Sequence, residues 1–151
     1  MAAANGPPGE VSAKLLHDMW SDVLDLNDFY RSSTGQMAVR LLRSRLREVW
    51  PNVRGETVLG LGYATPFLRP FMEEAARTLA FMPAQQGVTR WPREGRNLTA
   101  LVDENDLPLP DRSVDRVLLV HAVECSEQLR PFLDRKSTRL NSSHLGISYA
   151  V

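Results

Sequence analysis

Cysteine is nearly absent: the chain of 151 residues holds one, Cys125. A lone thiol excludes an internal disulfide and any zinc site built on several cysteines, and it suits a reducing compartment. An excess of charge of either sign is missing too, since 18 Lys and Arg balance 18 Asp and Glu. No bulk field therefore draws the chain to nucleic acid or to an anionic membrane surface, and any partner has to be argued from a site. No apolar run is long enough to span a bilayer, and the opening "MAAANGPPGE" lacks the cationic start and apolar core of a secretory signal. These absences predict a cytoplasmic protein without a membrane or nucleic-acid partner, in which the "NLT" glycosylation pattern at Asn97 is accidental. The 3 scattered histidines offer no metal cluster. Nor is there a G-x-S-x-G elbow, a G-x-x-x-x-G-K-[ST] loop, an H-E-x-x-H pair or an internal repeat.

What is present is a hydrophobic share of 43%, ordinary for one domain with a real core. Residues 1–10, rich in Ala, Gly and Pro, predict a disordered tail, and the domain is expected over 11–133. "VSAKLLHDMWSDVLDLNDFY" predicts one or two short helices, and "SSTGQMAVRLLRSRLREVW" predicts a longer one. In the longer segment Ser33 and Gln36 have capping-box spacing, Ala38, Leu42, Leu46, Val49 and Trp50 recur at helical intervals, and Pro51 helps to end it. Arg40, Arg43, Arg45 and Arg47 lie on or beside the opposite face. Glu48 interrupts them and no aromatics interleave, so a solvated face is preferred to nucleic-acid contact.

Beyond Gly55 the pattern alternates: "TVLGL" as a strand, "PFLRPFMEEAART" as a helix, then "TLAFM", "LTALV" and "DRVLLVHAV" as strands. This predicts an α/β fold with a parallel sheet and crossover helices. The last of these strands is almost wholly apolar, as a strand buried on both faces is. In such sheets the ligand sits outside the carboxyl ends of the strands, which draws attention to the turn in "VLGLGYATP". There Gly62 allows close backbone approach, Thr65 is a candidate cap through its hydroxyl, and Pro66 suits the first helical position.

That turn, together with "DENDLPLPDRSVD" at 103–115 and the following "RVLLVHAVE", resembles the class I S-adenosylmethionine-dependent methyltransferases, in particular the group related to methyltransferase type 11. The resemblance covers roughly residues 28–133 and implies a Rossmann-like sheet whose first four strands take the order 3-2-1-4, behind N-terminal helices. It implies S-adenosylmethionine as cofactor and a small-molecule or other methyl acceptor. It assigns the cofactor turn to Gly60, Gly62 and Tyr63, the adenine amine to Asp103, ring contacts to Glu104, an apolar wall to Leu107 and Pro108, and the region of the transferred methyl to His121 and Glu124. Read from the residues alone, Asp103 is equally a turn cap, His121 a packing histidine and Glu124 a helix-start carboxylate; Cys125 reads as a small buried residue. Tyr30 either covers the cofactor or belongs to the core.

The chain departs from the family pattern at two strand ends. Gly60 stands where an acid is usual, Ala64 and Pro66 where further glycines fall, and "TLAFMPAQQG" offers no acid for a ribose, leaving Gln85 or Gln86. A second expectation therefore stands beside the enzyme: a catalytically silent domain of the same fold that binds or regulates. The segment "DRKSTRLNSSHLGISYAV" breaks with what precedes it. Residues 134–144 can be written in codons as a common sequencing adapter, so the expected reading is a domain lacking its C-terminal half, followed by an artefactual tail over 134–151.

Overall fold

A computed structural model describes residues 22–103 and 106–122. Two helices lead in. Helix α1, Val23–Arg31, starts at Asp22, whose carboxylate accepts the Leu24 N–H at 2.7 Å. Helix α2, Ser33–Val49, is capped by Ser32, whose Oγ accepts the Gly35 N–H at 3.1 Å. The expected capping box at Ser33 is thus displaced by one residue, and the Gln36 amide donates to the Tyr30 carbonyl instead. The arginine face of α2 is only in part a solvated one. Arg45 pairs in solvent with Glu48, but Arg43 donates to the Pro66 carbonyl, and Arg47 pairs with Glu74 and lies over the Phe71 ring.

The sheet has the expected order. Strands β1 (Thr57–Gly62), β2 (Arg77–Pro83), β3 (Thr99–Val102) and β4 (Arg116–Val120) form one four-stranded sheet, ordered β3-β2-β1-β4. All its pairings are parallel. This is the arrangement of a Rossmann-like fold. Strand alternation divides the core. Val58, Ala80, Met82, Leu118 and Val120 face the helices, while Leu59, Leu61, Phe81, Val117 and Leu119 make a second cluster on the other face. The whole of β4 is buried, as its unbroken apolar run implies.

Two elements are shorter than expected. The crossover helix anticipated over 66–78 is a single α-turn, α3 (Thr65–Leu68), followed by a 3₁₀ turn at Arg69–Phe71, and β2 has begun by Arg77. Pro70 has no N–H to continue an α-helix, so the turn tightens and the chain returns. Thr65 proves to be the first helical residue rather than the cap; Ala64 holds the cap position with no side-chain bond. Strand β4 stops at Val120 because His121 adopts φ 52°, the left-handed region that breaks a ladder. The expected helix within 11–21, the tail, Glu104, Glu124, Cys125 and everything beyond 122 lie outside the described residues.

Candidate functional site

The carboxyl ends of β1, β2 and β4 meet beneath α1. At β2 the Val23 N–H donates to the Gln86 carbonyl at 3.0 Å. At β1 the Tyr63 hydroxyl donates to Asn27 Oδ1 at 3.2 Å. At β4 the Tyr30 hydroxyl and His121 Nε2 share a hydrogen bond of 2.8 Å. The helix thus crosses three strand ends and is fastened at each. Tyr30 is the hub: only 4% exposed, it stacks on Tyr63 with centroids 5.5 Å apart and meets Phe67 edge-on at 5.6 Å. Burial, and then Tyr63, push its hydroxyl up to about 12. Burial likewise raises the Tyr63 hydroxyl, with Arg31 acting in the opposite direction and Asp28 in the same one.

The glycines of the turn serve packing. Residue 60 faces the helices, and a Cβ there would come within 2.5 Å of Ala64 Cβ and 2.6 Å of Leu68 Cδ1. Gly62 has φ 82°, and a Cβ on it would lie 2.1 Å from the Val120 carbonyl oxygen. The close approach that a glycine permits is thus made at Gly62 by β4 itself, and the Tyr63 N–H completes the junction by donating to that same carbonyl at 2.9 Å.

Other candidates lie farther apart. Asp103 ends β3, exposed and two strands from β1; its carbonyl accepts the Asp106 N–H at 3.1 Å in an isolated bridge. Leu107 is fully buried in the cluster on the face away from the helices, with Leu59 and Leu61. Gly62, Tyr63 and His121 therefore share one locality, whereas Asp103 and Leu107 do not share it. Asn27, Val23 and Arg31 were not readable as site residues, because their roles depend on how α1 docks. Gln86 was legible as a polar residue after β2, but not its burial: it is 1% exposed, its amide donates to the His121 carbonyl at 3.4 Å, and its Oε1 meets no donor among the described residues.

That orphaned acceptor bears on whether a nucleoside cofactor fits. Gln86 Oε1 at the end of β2 and the Asp103 carboxylate at the end of β3 are acceptors, and a nucleoside offers hydroxyl and amine donors to both. The residues on that side fit such a ligand in donor and acceptor character. The β1 side, closed at Gly62, contributes packing instead. Among the described residues no group of three or more His, Cys, Asp or Glu side chains stands together to hold a metal, and no described helix is long and apolar enough to cross a membrane.

No protein-family model matches the chain, and no curated protein matches it. Solved structures do. A SAM-dependent methyltransferase from Aquifex aeolicus superposes with a TM-score of 0.55 at 20% identity, covering 77% of this chain and 67% of that one. A chain from the complex of the Haloferax volcanii Trm112 methyltransferase activator with a methyltransferase gives 0.48 at 19% identity, covering 68% of this chain and 48% of its own length. A methyltransferase from an antibiotic biosynthesis pathway of Anabaena variabilis gives 0.43 at 17%, covering 67% of this chain and 42% of that one. The Aquifex likeness shows the fold, a methyltransferase fold; the two lower scores add nothing to that.

Proposed function

We propose that the domain binds S-adenosylmethionine at the carboxyl ends of its strands and belongs to an enzyme that transfers the methyl group to a small-molecule acceptor. The observation that carries this reading is the buried, unpartnered Oε1 of Gln86 at the end of β2, in a sheet of methyltransferase order. Gln86 would accept from the ribose, standing in for the usual acid, and Asp103 from the adenine amine. The bound sulfonium supplies an activated methyl group, and the displacement asks the protein chiefly for alignment and exclusion of water. Here α1 supplies the exclusion, fastened by Val23, Asn27 and Tyr30 over the strand ends. His121 is the residue suited to receive an acceptor's proton, with the Tyr30 hydroxyl orienting its ring.

A second reading is favoured by the closure at Gly62: a catalytically silent domain of this fold, serving as a binding or regulatory module. Isothermal titration with S-adenosylmethionine separates the two. Saturable heat that Gln86→Leu weakens supports the first reading, and none at millimolar cofactor sinks it.

A further inference from the structure

Between α1, α2 and α3 lies a cleft of about 410 Å³ whose wall shares Asn27, Tyr30 and Tyr63 with the strand-end locality. Arg31, Arg43 and Arg69 line it, together with Asn27, Tyr63 and Trp91. No carboxylate is among its lining residues, and none of the three guanidiniums has an ion-pair partner among the described residues. Arg45 and Arg47 elsewhere on α2 are each paired with a glutamate. Arg43 is held in place by donating to the Pro66 carbonyl, and its pKa is lowered first by burial and then by repulsion from Arg69. Like charges gathered in a concave site without a counter-charge are destabilising, and an anion relieves them. Asp28, which acts on Tyr63, does not line the cleft.

We infer that this cleft is a binding site for a small molecule carrying two or more negative charges, a phosphate ester or a dicarboxylate, held by Arg31 and Arg69 at its mouth and by Arg43 within. Planar guanidiniums suit such oxygens because each can donate two parallel hydrogen bonds. Trp91, half-buried in the lining, would offer an apolar surface to the uncharged part of the ligand. S-adenosylmethionine is a poor match to this cleft: its ammonium and sulfonium outweigh its single carboxylate, so three cations repel more of it than they attract. The cleft adjoins the proposed methyl-transfer site through Asn27, Tyr30 and Tyr63, but its charge argument does not rest on that reading.

The test is calorimetric titration of the full chain with inorganic pyrophosphate and, separately, with succinate, at low ionic strength. One saturable site is expected for at least one of the two probes, and which one binds distinguishes the phosphate from the carboxylate source. Arg31→Gln and Arg69→Gln, both exposed positions, are each expected to weaken it about tenfold, as loss of a charge-assisted hydrogen bond does. Arg45→Gln, on the solvent side of α2, is expected to leave it within about twofold, the range for a screened exposed charge. No saturable heat with either probe overturns the inference, as does equal weakening by all three variants, which marks general attraction to positive charge. Titration of S-adenosylmethionine in the same cell keeps the two proposals apart, since either ligand can bind while the other fails.

Discussion

At the scale of single residues the turn after β1 is governed by what its glycines touch. Gly62→Ala adds a Cβ at 2.1 Å from the Val120 carbonyl on a backbone already at φ 82°. The expected loss is about 3 kcal/mol or more of unfolding free energy, read from urea denaturation. Gly60→Ala meets Ala64 and Leu68 side chains and is expected to lose about 1–3 kcal/mol, since Leu68 can shift where a carbonyl cannot. Tyr30 gives a pH signature. Its folded pKa, about 12, lies above the ordinary 10.0, so the stability it contributes is whole below pH 10 and is lost as pH rises toward 12. Urea midpoints across that alkaline range are expected to fall in the native chain and to fall less in Tyr30→Phe. These residues also mark the limit of the sequence. The glycines were visible as a turn, yet whether their open sides met a ligand or another strand depended on Val120, 58 positions away from Gly62 in the paired β4.

At the scale of elements the strands were the most legible, because short apolar runs bounded by turn residues leave few alternatives. Helix α3 was not, since its length was set by Pro70 against a sequence that otherwise favours helix, and the proline prevailed. The docking of α1 was unreadable too: nothing in "VLDLNDFYR" says that Asn27 and Tyr30 reach different strands. The start of the β1–β4 ladder also carries an ion pair that spacing did not reveal. Arg116, its side chain 8% exposed, donates through Nε to Glu56 at 2.7 Å, just ahead of β1. Glu56→Gln leaves a guanidinium buried without its counter-charge and is expected to destabilise the fold by about 3 kcal/mol in the same urea assay. A loss below about 1 kcal/mol would place this pair with exposed, screened ones.

At the scale of the whole molecule, the parallel sheet in the order β3-β2-β1-β4 was legible from alternating strand and helix patterns joined to one family resemblance. The candidate site was legible only in part, because a site at strand ends is assembled from residues far apart in the chain. Gly62, Tyr63 and His121 were named from the sequence and do come together; Asp103 sits apart, beyond β2. The proposed nucleoside-binding edge is formed by the ends of β2 and β3, beside the strand ends that α1 covers, with β1 contributing packing. Amide chemical shifts followed during titration with S-adenosylmethionine test it most directly. Binding at that edge predicts saturable shifts concentrated at residues 85–87 and 103, together with α1. Shifts absent at millimolar cofactor, or confined to the cleft lined by Arg43 and Arg69, would contradict it.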